Sequence, residues 1–473
     1  MDRRTIVILL GLLQIGCAAG PDFVRPKAPE TNKYLAGKLP NLQSQHLAIG
    51  QEIPKEWWKL FRSHKLNSLI KLGLENNADL NSARAVLRAA MEDARATKSS
   101  IYYPNIQLDA ATSRQKAGLT TSQTTVYNLY KPSVNASYTL DIFGGGKRQI
   151  EAKQAIVDYQ QYTLELAHLS LIANIINAAI TEANLREQIK LTKDFIEINK
   201  NKLAIIEQQF ILGGISNSDV LLQKAALAQI STTLPPLEKS LNQNRHTMAV
   251  LVGRTPSEQQ LPQFKMGDLV LPSKLPISLP SKLILQRPDI QAAEALLRKA
   301  SADIGIATAA LFPQFNLTAG YGYQSTEIKD LFKASSVIWN YSIQASQLLF
   351  DGGALRAQKK SKIAAYDQAA EKYRQTVLLA LQNVADSLKA LEGDANVLKF
   401  QGDYEAFSQK SYQLLEQQYK LGAEEYLSVL TVEQQYKLAR LDKIKAIAQR
   451  YTDTVALFQA LGGGWNAKPT CDI

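Results

Sequence analysis

From Lys147 to Leu212 the chain runs 66 residues without a glycine or a proline. Folded as one α-helix, such a stretch is about 100 Å long at 1.5 Å per residue. Globular helices usually end after three or four turns, so a helix of this length calls for other long helices beside it, in a bundle or coiled coil. A second stretch, Ala354 to Leu421, has no proline and only Gly393 and Gly402. Within the first, Ile172, Ile175, Ile176, Ala179 and Ile180 recur as one apolar helix stripe. Gly213 and Gly422 predict the ends of the two helices, because a helix readily closes on a glycine at positive φ. Returning helices are expected to reach Leu251 and Leu461. Pro235-Pro236 should kink or break the first of them, whereas its counterpart, Ile444-Lys445, holds no proline.

These stretches belong to a duplication. At an offset of 209 residues, Pro104-Asn105 matches Pro313-Gln314, Gln208 to Gly213 matches Gln417 to Gly422, and Gly253 matches Gly462. The turns Phe143-Gly144-Gly145-Gly146 and Phe350-Asp351-Gly352-Gly353 agree to within two residues. The halves are 62–253 and 283–462, joined by a Pro-rich connector, 254–282. Each half reads as helix, two strands, then two helices. Leu66 to Ser100 and Pro288 to Leu311 are the leading helices, stopped by Pro104 and Pro313. Strands are expected over about 104–116 and 126–143, and over about 313–325 and 337–350, where the pattern switches to period two.

Ile106, Leu108 and Ala110 alternate with Asn105, Gln107 and Asp109; Trp339, Tyr341 and Ile343 alternate with Asn340, Ser342 and Gln344. One apolar and one small-polar face is the pattern of membrane strands around a wet lumen. A half-buried soluble sheet alternates in the same way. Four strands cannot close a barrel, and an open edge cannot sit in lipid because its backbone groups go unpaired. A spanning chain must therefore oligomerise, and three copies give twelve strands, an even number within the known range.

The N-terminus reads as a secretory signal, residues 1–16: basic Met1 to Arg4, apolar Ile6 to Leu13, then Gly16 before Cys17. Cys17 is expected to be acylated and to begin a lipoprotein segment, 17–61, held to the membrane by its lipid. Gln14 and Ile15 stand where such signals usually carry Leu and a small residue. Residues 463–473 form a C-terminal tail. No later segment is expected to supply the roughly 18 apolar residues of a transmembrane helix. Two cysteines, Cys17 and Cys471, exclude a disulfide framework, and four scattered histidines offer no metal-ligand spacing. The formal charge of +11 comes from Lys and Arg interleaved with Asp and Glu, as on solvated helix faces, with no basic block for nucleic acid. The glycine turns lack phosphate-loop spacing, and no nucleophile–base pair emerges. No catalytic, cofactor or metal residue is expected, and the chain reads as a non-enzyme.

Gly20-Pro21-Asp22-Phe23-Val24-Arg25-Pro26, Trp57-Trp58-Lys59-Leu60-Phe61, and the run Arg287-Pro288-Asp289-Ile290, Ala293-Glu294, Ile304-Gly305, Ala307 and Phe312-Pro313 carry a resemblance. With the strand ends Leu140 to Gly144 and Leu349 to Gly353, they make the chain resemble TolC-like outer-membrane efflux proteins of the OprM/NodT lipoprotein type. The resemblance spans the mature chain. It implies a mainly α fold with transmembrane β: a duplicated helix–strand–strand–helix–helix unit, four strands per chain completing a 12-stranded trimeric barrel continued by a long periplasmic α-helical barrel. It further implies a homotrimer in the outer membrane, with most of the mass in the periplasm. Its periplasmic tip would dock an adaptor protein, which links it to an inner-membrane resistance–nodulation–division pump. Small molecules such as drugs would pass outward passively. A duct for type I protein secretion shares this architecture, and a non-spanning periplasmic coiled-coil scaffold is a further alternative.

Acids often ring the closed tip in this family. Here Ser428 and Thr431 stand where acids are expected, Asp219 holds the first-half position equivalent to Ser428, and Glu424 and Glu425 flank the second turn. These five are the candidate gate, with Asp219 its main acid; an acid in the first turn of a helix is also favourable by itself. Leu212-Gly213-Gly214 and Leu421-Gly422-Ala423 are the candidate adaptor contacts.

Overall fold

The computed structural model describes residues 18–27, 33–37, 40–118, 124–258 and 260–464, so Cys17 and Cys471 lie outside the described residues. In chain order the elements are β1 (His46–Ile49), α1 (His64–Asn76), α2 (Ala78–Tyr102), β2 (Asn105–Gly118) and β3 (Thr124–Leu140). Then come α3 (Gly145–Ile211), α4 (Asn217–Ser231), α5 (Leu234–Leu251), β4 (Lys274–Ile277) and α6 (Pro280–Gln286). The second half follows with α7 (Pro288–Ala309), β5 (Gln314–Tyr323), β6 (Val337–Ser346), α8 (Ala354–Lys420) and α9 (Tyr426–Ala460). Both α3 and α8 are continuous over 67 residues, and they start and stop 209 residues apart. The chain divides into two units: Met1–Lys27, Ala85–Gln161 and Ala292–Gln375 form the first, and Ala28–Arg84, Tyr162–Gln291 and Thr376–Ile473 the second.

The first unit holds an antiparallel sheet of order β2-β3-β5-β6. Its registers align Leu108 with Val134, Val134 with Tyr321, and Tyr321 with Trp339, so apolar residues of all four strands share one face. On the other face Asn135 donates to Asp109 (2.7 Å), Thr139 to Asn316 (2.7 Å), and Thr318 pairs with Ser342 (2.7 Å). Gly320 sits on this polar face because a Cβ there would lie 2.6 Å from Asn340 Oδ1 and 2.7 Å from Asn135 Oδ1. Below the strands, Asp141 accepts from the backbone of Gly146 (2.8 Å) and Lys147 (2.7 Å) to cap α3, and Asp351 does the same for α8 through Gly353 and Leu355 (both 2.8 Å). The Gly-Pro-Asp motif packs here: Gly20 and Gly305 meet backbone to backbone, and a Cβ on Gly20 would lie 2.6 Å from Gly305 Cα. Buried Arg148 fixes the same segment by donating to Asp22 (2.7 Å) and Glu151 (2.7 Å).

The second unit carries the main core. Trp57 and Phe61, from the Trp-Trp-Lys-Leu-Phe turn, are fully buried with Leu66, Ile175, Ile176 and Phe458. The rings of Trp57 and Phe458 lie 5.2 Å apart. One stretch of α3 is apolar enough over 18 residues to cross a membrane, which corrects the expectation that none follows the leader. Half of that stretch is buried, and its isoleucines are core residues, so it is explained by helix packing. The single leading helix expected over Leu66 to Ser100 is two helices. Asn77 breaks it by capping Leu80 N (2.9 Å) while its amide donates to Leu251 O (3.0 Å). The prolines do break the first returning helix: α5 begins with them in its first turn, after α4 has ended, whereas α9 is uninterrupted. β1 and β4 form a parallel pair, His46 to Lys274 through Ile49 to Ile277, which joins the N-terminal segment to the connector. Buried Arg450 of α9 holds that segment by donating to Gln45 Oε1 (2.9 Å) and to Leu42 O.

Candidate functional site

Two features have functional geometry, and each lies within one unit: the turns at the ends of α3 and α8, and the open-edged sheet. At the first turn Gly213 has φ 72° and donates to Phe210 O (3.0 Å), while Gly214 donates to Gln209 O (2.9 Å). At the second, Gly422 has φ 74° and donates to Tyr419 O (3.0 Å), while Ala423 donates to Gln418 O (2.9 Å). Both are Schellman closures, and glycine supplies the left-handed residue they need. Leu212 and Leu421 project from them, 83% and 85% exposed.

Asp219 stands at the third position of α4. Its carboxylate accepts from Ser216 N (3.2 Å) and Ser216 Oγ (2.9 Å), and Ser216 Oγ in turn accepts from Asp219 N (3.3 Å), a reciprocal capping box. Its charge also reaches the other hairpin: burial first, then Asp219, raises the Tyr419 pKa. Glu424 and Glu425 are exposed, Glu425 being the cap of α9 without a side-chain bond. Ser428 is the third residue of α9, the counterpart of Asp219, and Thr431 turns its hydroxyl onto Leu427 O (2.9 Å). Ile206, Val220 and Tyr426 form a small core beneath the turns, bringing the two hairpins together.

Behind this core lies a buried polar network. Glu433 of α9 is 3% exposed and meets Lys202 of α3 (2.5 Å) and Lys437 (3.1 Å). Asn199 of α3 donates to Glu433 (3.1 Å), Gln223 of α4 donates to Asn199 Oδ1 (3.1 Å), and Tyr426 donates to Gln223 (2.5 Å). Lys202 also reaches Tyr412 of α8 (2.8 Å), so all four helices of the tip contribute. Burial raises the Glu433 pKa, but Lys437 and Lys202 outweigh it and hold the carboxyl below its ordinary range. Burial and the nearby Glu433 charge push the Tyr426 phenol up, keeping it a donor. The signal for this network in the sequence is a charged residue in the apolar phase of a helix, since Tyr426, Val429 and Glu433 are all buried at three- and four-residue steps.

Among the described residues the sheet ends in two unpaired edges, β2 and β6. On its apolar face Leu108 is 76% exposed, Trp339 68%, Tyr341 78% and Ile343 72%. A soluble half-buried sheet covers such a face with its own chain. No other described residues cover the exposed side chains of this face, over strands of 10 to 17 residues, long enough to span a bilayer.

Comparison with known proteins agrees with this geometry. The family described as outer membrane efflux protein matches residues 69–254 and again 279–463. The cation efflux system protein CusC of Escherichia coli is 28% identical over 469 residues, covering 98% of this chain and 99% of CusC. The pyoverdine export outer membrane protein OpmQ of Pseudomonas aeruginosa is 28% identical over 436 residues, covering 90% of this chain and 91% of OpmQ. The solved outer-membrane channel OprN superposes with a TM-score of 0.85 at 27% identity, over 95% of this chain and 100% of that one. The chain therefore belongs to the outer membrane efflux protein family and is a TolC-like outer-membrane efflux channel.

Proposed function

We propose that three copies close their sheets into a twelve-stranded barrel, through which small molecules leave passively after delivery by a periplasmic adaptor and an inner-membrane resistance–nodulation–division pump. The observation that carries this is the four-stranded sheet with two free edges and a bare apolar face. Lipid can cover that face, while only more strands can satisfy the edges inside a bilayer. Acylation of Cys17 adds a membrane anchor in this reading. The cargo is set by the pump partner: the relatives named above, one for cations and one for pyoverdine, are equally similar to this chain at 28% identity. Purified protein in a planar bilayer is expected to give unitary conductance steps, and a protein that inserts yet never conducts, even when the tip contact is broken by Glu433→Ala, refutes a duct.

At the tip, Asp219 acts as the gate acid, with Glu424 and Glu425 beside it and Ser428 and Thr431 in the second hairpin. Its support is a position near both hairpins; the capping box is a second role for the same carboxylate. Three copies of one acid near an axis attract cations. Asp219→Ala is expected to lower cation selectivity in single-channel recordings, and to remove a cap contact of about 1 kcal/mol. Asp219→Asn retains capping, so unchanged selectivity in both variants refutes the gate role.

The exposed turns Leu212-Gly213-Gly214 and Leu421-Gly422-Ala423 dock the adaptor. Leu212→Asp combined with Leu421→Asp leaves the glycine closures intact, since both side chains are solvent-exposed. Adaptor co-purification is expected to fall at least about tenfold, the effect of losing apolar anchors at an interface centre. Undiminished co-purification places docking elsewhere.

A further inference from the structure

The first unit holds an unbalanced charge at the start of α8. Arg356, Lys359, Lys360 and Lys362 fall within one run of seven residues. Three of them are exposed and Lys359 is half-buried, and none has an acid within ion-pair distance among the described residues. The first turn of α8 holds no acid, and the first acid along the helix is Asp367. Cations are disfavoured at the N-terminal end of a helix, where the macrodipole is positive, so these four stand against their local electrostatics. Toward the tip the pattern is the reverse: Lys437 meets Glu433 (3.1 Å), and Lys443 meets Glu405 (2.5 Å).

The antiparallel order places the end of β6 and the start of β2 at the same end of the sheet. Apolar side chains continue past the strands there: Leu349 and Phe350 after β6 are 93% and 87% exposed, and Tyr103 before β2 is 70% exposed. Side chains of this kind sit where hydrocarbon gives way to headgroups. From Arg356 to Lys362 the helix rises about 9 Å, comparable with a headgroup layer of about 5–7 Å on each side of a bilayer. We propose that Arg356, Lys359, Lys360 and Lys362 form a collar that binds the phosphates of anionic phospholipids in the periplasmic leaflet, with Leu349 and Phe350 seated in the acyl boundary beside them. The collar goes beyond the duct itself, and it rests on the bare face of the sheet lying in lipid. The internal repeat supports it. At the offset of 209, Arg356 and Lys362 correspond to Lys147 and Lys153 of α3, which are also exposed and also lack an acid within ion-pair distance among the described residues. They are exposed although α7 packs on α3, through Arg298 and Asp158 (3.1 Å) and through Gly145, where a Cβ would lie 3.0 Å from Ala309 Cβ. A helix packed on α8 in the same way therefore leaves positions 356 and 362 open.

The test titrates purified full-length protein in mild detergent with phosphatidylglycerol, or with phosphatidylcholine of the same acyl chains, and native mass spectrometry reads what stays bound. One lysine or arginine near an anionic membrane surface contributes roughly fivefold to association. The wild-type protein is therefore expected to hold phosphatidylglycerol at least about tenfold more tightly than phosphatidylcholine. Arg356→Gln combined with Lys359→Gln, Lys360→Gln and Lys362→Gln is expected to abolish that preference. These substitutions remove cations from the positive end of a helix, so folding is expected to be undisturbed. A control with the same loss of charge at exposed positions far along the helices, Lys190→Gln, Lys239→Gln, Lys399→Gln and Lys410→Gln, is expected to keep the preference. Preference retained in the collar variant, or lost equally in the control, overturns the collar. Displacement of phosphatidylglycerol by an equal concentration of inorganic phosphate assigns the cations to free anions and overturns the lipid. Wild-type protein that washes out of phosphatidylcholine vesicles overturns the membrane reading beneath; protein that stays in them yet shows no preference overturns the collar alone.

Discussion

Glu433→Ala is expected to destabilise the helix tip by about 3–5 kcal/mol, the cost of removing one partner from a buried ion pair, and to raise the resting single-channel conductance. The carboxylate is 3% exposed and receives Lys202, Lys437 and Asn199, so its loss leaves two poorly solvated ammonium groups without their counter-charge, while Lys202 keeps its bond to Tyr412 and Asn199 its bond to Phe195 O. Lys202 belongs to one hairpin and Glu433 to the other, so the same change loosens the contact between them. Replacing the whole triad with apolar residues (Glu433→Leu, Lys202→Met, Lys437→Leu) is expected to recover most of the stability, because no charge is then left unpaired. Conductance that stays raised in that triple variant while stability returns would show the ion pair holding the tip closed by specific contacts. Conductance unchanged in Glu433→Ala would show that the network plays no part in closure. The pH dependence follows from the direction of the shift. The carboxyl is held below its ordinary value of 4.5, so its stabilising contribution is present above that value and lost as pH falls through the depressed one. Chemical denaturation between pH 6 and about pH 8 should therefore show no contribution from Glu433 to the slope.

The second large effect separates the two faces of the sheet. Ile343→Arg places a cation on the bare apolar face, where a charge at bilayer depth costs about 2–4 kcal/mol. Ser342→Arg, one residue away, points to the polar face, where its hydroxyl now pairs with Thr318. That change should cost little stability and shift ion selectivity toward anions, as a cation lining a pore does. Urea unfolding from bilayers reads the first effect and the reversal potential reads the second. Equal destabilisation by both substitutions would mean that the sheet does not divide lipid from water.

Much of this fold is legible in the sequence because it rests on long, repeated signals. Two proline-free stretches become 67-residue helices, and Gly213 and Gly422 close them at positive φ as a helix end requires. Strand faces are legible because alternation survives over ten residues and more. Features decided by distant contacts are not. Asn77 breaks a helix through a bond to Leu251, far along the chain, and nothing local distinguishes it from a tolerated asparagine. β1 and β4 are four residues each and pair across the whole first half, too short for any periodicity to register. β6 stops at Ser346, earlier than its alternation suggests, because its partner β5 begins at Gln314.

The candidate site divides in the same way. The turns are legible through glycine, and Asp219 through its correspondence to Ser428 at the 209-residue offset; its carboxylate is seen to cap the start of α4. The Glu433 network was hidden because a buried charge among helix residues looks like any surface glutamate until the phase of its neighbours is counted. Tyr426 and Val429 set that phase, and Lys202 and Asn199 complete the network from more than two hundred residues away.

The central claim is that one chain supplies a third of a transmembrane barrel. Native mass spectrometry of the protein extracted from outer membranes in mild detergent tests it most directly. A single species of three chains is predicted, each close to 52.3 kDa less any removed leader. A monomer, its β2 and β6 edges unpaired, would contradict it.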